Sequence, residues 1–185
     1  MIRRIFLGIA MAAPTAQALA QYDTLTVKPI VKAAREGDEE KVRQALLKGE
    51  NPNQIDTTSG QPLLMTAVMA GQIGVVEALL KGGAVVDATD REGYTPLIRA
   101  AEKGDVDIVD ILLKRNAKPA AQTRQGVTAL MVAARLGHAE VVRVLLDKKA
   151  NPNTADFTGR TALTYARQSG KPTIEAMLRK AGGHE

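Results

Sequence analysis

The chain has 185 residues, 45% hydrophobic and 24% charged, a composition suited to one soluble domain, and its net charge of +5 is too slight to argue for nucleic acid. It has no Cys, which excludes disulfides, thiolate metal sites, cysteine nucleophiles and a lipid-modified cysteine. Its two histidines, His138 and His184, lie too far apart in sequence for metal-ligand spacing.

Residues 1–20 read as an export leader. Arg3 and Arg4 make a positive start, Ile5 to Ala13 an apolar run, and Pro14 breaks it. Ala18-Leu19-Ala20 then supplies the small residues read by signal peptidase, so cleavage is expected before Gln21. The apolar run falls short of the roughly 20 residues of a membrane span. Arg3-Arg4-Ile5-Phe6-Leu7 also resembles a twin-arginine export motif, but Ile2 stands where that motif has Ser or Thr, which favours the general secretory route.

From there the sequence is periodic. Gly60, Gly93, Gly126 and Gly159 are 33 residues apart, and Gly37, Gly71, Gly104, Gly137 and Gly170 follow at spacings of 34, 33, 33 and 33. Between the two series runs one pattern, GQPLLMTAVMAG, GYTPLIRAAEKG, GVTALMVAARLG and GRTALTYARQSG, with an earlier copy KPIVKAAREG. A second block recurs after it: VVEALLKGGAVVDA, IVDILLKRNAKPAA and VVRVLLDKKANPNT. In one unit, Thr95 caps a short helix and Pro96 is tolerated in its first turn. Leu97, Ala100 and Ala101 form its apolar face, and Gly104 ends it in a left-handed cap. Ile108, Val109, Ile111, Leu112 and Leu113 mark a second amphipathic helix, and Asn, Asp, Pro and Gly punctuate the turn to the next unit. Aromatics are only 3% of the chain, so Ala, Leu and Val must fill the core, which suits closely stacked helices. One unit cannot bury its own apolar faces, whereas stacked units share a continuous core.

The pattern resembles the ankyrin repeat, G-x-T-P-L-x-x-A-A-x-x-G followed by V-V-x-x-L-L-x-x-G-A and a turn Asn or Asp. The resemblance implies an all-α solenoid of five stacked helix-turn-helix repeats with hairpin-like turns, at about 23–55, 56–88, 89–121, 122–154 and 155–183, within a domain spanning 21–185. Several positions depart from the family pattern. Its histidine after Thr-Pro-Leu is replaced by Met65, Ile98, Met131 and Thr164, which removes a buried polar link between units. The third unit ends in Lys118-Pro119-Ala120 where others carry Asn53, Asp87 or Asn153, so its turn is expected to be less well ordered. Polar Gln21, Asp23 and Thr24 at one end, with Arg167 and a charged final helix near Lys171 to Ala181 at the other, look like caps. Residues 182–185 read as a loose tail.

Nothing in the sequence assembles a catalytic constellation. His138 occupies a position where the family commonly has His, so it reads as a structural tie. Ser59 and Ser169 have no activating partners, the Gly pairs lack the Lys-Ser/Thr of a phosphate loop, and the acids are scattered. No enzyme activity and no cofactor or metal is expected.

The remaining candidate is a binding face. In ankyrin-like stacks the turn tips and the exposed side of the first helices form a concave groove where partners dock. Carried over unit by unit, the resemblance places Thr58, Ser59, Arg91, Glu92, Tyr94, Arg124, Gln125, Phe157 and Arg160 at tips. It places Met69, Ala70, Arg99, Glu102, Lys103, Arg135, Leu136 and Gln168 on first helices. Partner-binding is assigned to Arg91, Glu92, Tyr94, Arg99, Lys103, Arg124, Arg135, Phe157 and Arg160. Tyr94 and Phe157 are aromatics at turns, as interface anchors often are, the alternative being that each ring folds onto its own hairpin. The arginines suit carboxylates, so another protein with an acidic surface is the expected partner. Small exported ankyrin proteins of Gram-negative bacteria resemble this design, which implies a monomeric periplasmic module assisting, stabilising or inhibiting a partner such as a stress-related catalase or a toxin. A secreted effector binding a host or competitor protein is the alternative, while nucleic acid is disfavoured by charge and export.

Overall fold

The computed structural model describes residues 28–184. The proposed leader and the polar start at Gln21, Asp23 and Thr24 lie outside the described residues.

Ten helices form five pairs among the described residues. They are α1 (Pro29–Glu36) with α2 (Glu39–Leu47), α3 (Leu63–Ala70) with α4 (Ile73–Lys81), and α5 (Pro96–Lys103) with α6 (Val106–Lys114). The last two pairs are α7 (Ala129–Leu136) with α8 (Ala139–Asp147), and α9 (Ala162–Gln168) with α10 (Pro172–Lys180). Before α3 a short antiparallel pair, β1 (Ile55–Asp56) and β2 (Gln61–Pro62), aligns Ile55 with Pro62 and Asp56 with Gln61. The first helices pack in a file, α1 on α3, α3 on α5, α5 on α7 and α7 on α9, and the second helices form a parallel file behind them. This is the expected all-α solenoid of five helix pairs.

Local chemistry fixes each helix. Thr95, Thr128 and Thr161 cap α5, α7 and α9, their hydroxyls accepting from the amides of Ile98, Met131 and Thr164 at 3.3, 3.3 and 3.4 Å. In the second unit Pro62 stands at the cap and no side chain substitutes. The α1 start is served from a distance, by Glu50 Oε2 accepting from the Ile30 amide at 3.2 Å. Leu64, Leu97, Leu130 and Leu163, one in each unit from the second to the fifth, are buried, and so are Ala100, Ala101, Ala133 and Ala134, whose small side chains let the first helices approach closely. Each buried leucine contributes about 2 kcal/mol. Met65, Ile98 and Met131 are buried too, so apolar packing occupies the site of the missing histidine link.

Two sets of polar contacts tie neighbouring units. The first reaches over the glycine that ends each first helix, to the carbonyl two residues before it. Gln72 Nε2 donates to the Arg35 carbonyl at 3.3 Å, Lys103 Nζ to the Met69 carbonyl at 2.6 Å, and His138 Nε2 lies 3.1 Å from the Glu102 carbonyl. In the middle case Asp105 holds the position of Gln72 and His138 but caps α6 instead, accepting from the Ile108 amide, and Lys103 makes the bond in its place. Gly104 sits at φ +73°, and a Cβ there would lie 2.6 Å from the His138 ring. The sequence made His138 a tie for its own turn; it joins two units instead.

The second set joins the turns. Asn53 Oδ1 accepts from the Val85 amide at 2.7 Å, Asp87 Oδ1 from Lys118 at 3.2 Å, and Asn153 Oδ1 from His184 at 3.0 Å. The third-unit turn is therefore held at Lys118 like the others, contrary to expectation. What it lacks is the onward link, because Ala120 has no acceptor for the amide of Asn151. The tail is also corrected. His184 is bound to Asn153, Asn153 Nδ2 donates to the Gly182 carbonyl at 3.1 Å, and Gly183 N to the Leu178 carbonyl at 2.8 Å, so residues 182–184 are docked.

Two substitutions check this account by urea denaturation. Ala120→Asn restores the missing acceptor and should stabilise the protein by about 1 kcal/mol. Gly104→Ala should destabilise it by about 2 kcal/mol, through left-handed strain and displacement of His138.

Candidate functional site

The face in question is built on four hairpins, each organised by one buried acceptor. Asp56, Thr123 and Asp156 are buried and Asp90 nearly so. Asp90 Oδ1 accepts from the amides of Glu92 and Tyr94, both at 2.9 Å. Thr123 Oγ1 serves Gln125 and Val127, and Asp156 Oδ1 serves Thr158 and Arg160 at 2.8 and 3.0 Å. The last three hairpins close with the Gly93, Gly126 and Gly159 amides on carbonyls three residues back. The first is one residue longer, Gly60 N bonding to the Asp56 carbonyl. Tips also bond sideways: Arg124 N to the Glu92 carbonyl and Phe157 N to the Gln125 carbonyl, each at 3.1 Å.

These buried carboxylates decide which arginines remain available. Arg35 pairs with Asp56, Arg99 with Asp90 at 2.9 Å, and Arg160 with Asp156 at 3.0 Å. Arg99 also bonds Glu102 at 3.0 Å, approaches Glu92 at 3.8 Å, and lies 3.6 Å above the Tyr94 ring. Its side chain is only 16% exposed. Arg99 is thus an internal strut rather than a free hand, and Tyr94 is half-buried beneath it on its own hairpin. Lys103, exposed along its stem, gives its ammonium to the Met69 carbonyl. Arg91, Arg124 and Arg135 are exposed and make no ion pair among the described residues. Glu92 stands out at a tip, and Phe157 is 75% exposed, its ring against Gly126 of the preceding hairpin.

One residue the sequence did not single out completes the arrangement. Tyr165, buried on α9, donates its hydroxyl to Asp156 Oδ2 at 2.7 Å, and the Arg160 guanidinium lies 4.7 Å from its ring centre. Its one sequence signal was being an aromatic inside a helix pattern otherwise filled by small aliphatics. Glu92, Tyr94, Gln125, Val127, Met131, Val132, Arg135, Arg160 and Tyr165 enclose a cavity of 380 Å³, drawing on three consecutive units. The structure therefore brings four sequence-predicted residues, Glu92, Tyr94, Arg135 and Arg160, to one depression. Arg124 and Phe157 sit at neighbouring tips, and Arg91 lines a smaller cleft of 180 Å³ with Ser59, Gln61 and Arg99.

The repeats, the glycine-ended helices and the linked hairpins coincide with a family pattern. A family model for ankyrin repeats, in three copies, matches residues 30–123 and 117–184. The chain belongs to the ankyrin-repeat family. Ankyrin repeats are in general protein–protein interaction modules, a non-catalytic fold. No curated protein matches the chain in sequence. Among the described residues no group of His, Asp and Glu could hold a metal ion, and no helix is long and apolar enough to cross a membrane.

The hairpin acceptor makes the ankyrin face sensitive to acid. Burial raises the Asp156 carboxyl, but hydrogen bonds from the Thr158 and Tyr165 hydroxyls and the Arg160 and Thr158 amides outweigh it and leave it far below the usual carboxylate range. Asp56 and Asp90 are lowered as well, arginine and backbone donors overcoming their burial. Because these groups bind protons more weakly folded than unfolded, their stabilisation is complete above about pH 4 and is lost as pH falls toward their folded values. Tyr165 moves upward, through burial and then Asp156, so its contribution holds below about pH 10 and is lost as pH rises through its raised value. Urea midpoints measured between pH 7 and pH 2 should fall below pH 4. They should fall less steeply in Asp156→Asn, where Asp56, Asp90 and the helix-capping Asp38 keep the dependence.

Proposed function

We propose that the protein is a binding module of the bacterial cell envelope, exported with cleavage before Gln21, that docks one periplasmic partner and assists, stabilises or inhibits it without chemistry of its own. It acts as a monomer, and a stress-related enzyme such as a catalase, or a toxin needing neutralisation, is the kind of partner such a module serves. The partner meets the hairpin tips and first helices with an acidic surface.

The observation that carries this reading is a contrast between the two faces. On the second-helix side, charges pair along four of the five helices: Arg43 with Glu39, Lys81 with Glu77, Lys114 with Asp110, and Arg143 with Glu140 and Asp147. On the tip side Arg91, Arg124 and Arg135 have no such acid among the described residues, and exposed Phe157 lies against the hairpin that carries Arg124. Unpaired arginines beside an exposed aromatic are what an interface for a carboxylate-bearing surface requires, since Arg binds carboxylates through two parallel hydrogen bonds. The leader read from residues 1–20 supports the compartment.

A photo-crosslinking residue placed at Arg124 or Phe157, in cells, should give one discrete adduct from the osmotic-shock fraction. The same probe at Lys114 or Asp147 should give none. Equal adducts from both faces would refute a dedicated docking face. Mature protein recovered from the medium instead of the periplasm, or retaining residues 1–20, would refute the proposed location.

A further inference from the structure

Within that docking face, the structure points to a single cavity that selects the partner. We propose that the depression spanning the third, fourth and fifth units takes one acidic side chain of the partner, its carboxylate bound by the Arg135 guanidinium and its aliphatic stem lying against Tyr94 and Tyr165. This inference rests on the proposed docking function and narrows it to one contact.

Three observations lead there. First, of the two guanidinium groups lining the cavity, Arg160 is neutralised by Asp156 at 3.0 Å, while Arg135 is exposed and has no ion pair. The charge seeking a partner is therefore localised at the α7 wall. Second, two other polar groups of the lining are already engaged: the Tyr165 hydroxyl donates to Asp156 at 2.7 Å, and the Gln125 carbonyl accepts from the Phe157 amide. A ligand carboxylate thus finds its strong donor at Arg135, by charge-assisted, two-pronged hydrogen bonding. The Arg135 charge also acts on Tyr165, lowering the phenol's pKa against the dominant effects of burial and Asp156, so guanidinium and ring are electrostatic neighbours. Third, a volume of 380 Å³ is at the lower end for small-molecule sites and accommodates one long side chain rather than a loop. Glu92, which also lines the cavity, disfavours a second carboxylate, which makes the pocket select an isolated acid flanked by neutral residues.

Shape supports the commitment to a partner polypeptide. The cavity opens among tips whose backbones are already hydrogen-bonded sideways from Glu92 to Arg124 and from Gln125 to Phe157. An incoming chain therefore crosses a rigid edge and needs to insert only a side chain.

The test uses the mature chain and three fluorescein-labelled Gly/Ser peptides, each with one central residue, Glu, Gln or Lys, next to a Leu. Binding is read by anisotropy, with amide shifts of Met131, Val132 and Tyr165 followed by NMR. The Glu peptide should bind about tenfold tighter than the Gln peptide, and Arg135→Gln should abolish that preference. Arg143→Gln, on the opposite face, should preserve it, and unchanged circular dichroism should accompany both variants. If Arg135→Gln keeps the preference while Arg124→Gln loses it, the acid docks at the tip and the cavity proposal is wrong, though the docking face stands. If the Glu peptide binds no better than the Lys peptide, or neither binds, the proposal is likewise overturned. Adducts confined to the tip face in the crosslinking experiment would then still uphold the broader function.

Discussion

The whole array depends on how closely one unit can approach the next at the glycine ending each first helix. At Gly37, Gly104 and Gly137 a Cβ would meet a side chain from the following unit within 2.9, 2.6 and 3.0 Å. The glycine is needed twice, for its left-handed backbone and for its missing side chain. At three of the four boundaries the carbonyl two residues earlier takes a donor from the neighbour. An amide, an ammonium and an imidazole fill the role in successive units, so geometry is repeated while chemistry varies. The alanine-rich first helices follow from the same closeness, and so does the scarcity of large rings in the core.

The hairpins obey a second rule, that a tight turn needs an acceptor at its base. Where that acceptor is a carboxylate it also needs a cation, and the nearest one comes from a first helix or from the hairpin itself. Arg35, Arg99 and Arg160 are drawn inward for this purpose. In the fourth unit the acceptor is neutral Thr123, which demands no counter-charge. Arg135 holds the register of Arg35, whose carboxylate lies on the next unit's hairpin, and there the carboxylate, Asp156, is taken by Arg160 and Tyr165.

Much of this was readable in the sequence, and the rest was hidden for physical reasons. The 33-residue period, the Thr caps and the glycine stops are local, so they appear directly as letters at fixed spacing. The 34-residue interval between Gly37 and Gly71 signalled one extra residue, which lies in the first hairpin between Asp56 and Gly60, a position that spacing alone could not choose. The fates of Arg99 and Lys103 were not legible. Whether a charged side chain points outward depends on partners across a turn or a unit boundary, here Asp90 and the Met69 carbonyl. Tyr165 was missed because its hydroxyl partner, Asp156, is nine residues away on a different element. The docking of the tail through Asn153 is not legible in the sequence because it requires the turn geometry of the final unit.

An array of this kind behaves as a chain of nearest-neighbour couplings, and it is only as cooperative as its weakest joint. The boundary after Ala120 lacks the turn link its neighbours have, and the bonds of His138 to the Glu102 carbonyl and of Arg124 to the Glu92 carbonyl tie the third unit to the fourth instead. The Arg135 cavity straddles that same boundary, with Glu92 and Tyr94 on one side and Arg135, Arg160 and Tyr165 on the other. Anything seated there belongs to both blocks at once and acts as a removable splint. By mass action it would raise the free energy of opening by RT ln(1 + L/Kd), with L the concentration of free partner, coupling capture of a partner to the mechanical integrity of the rod.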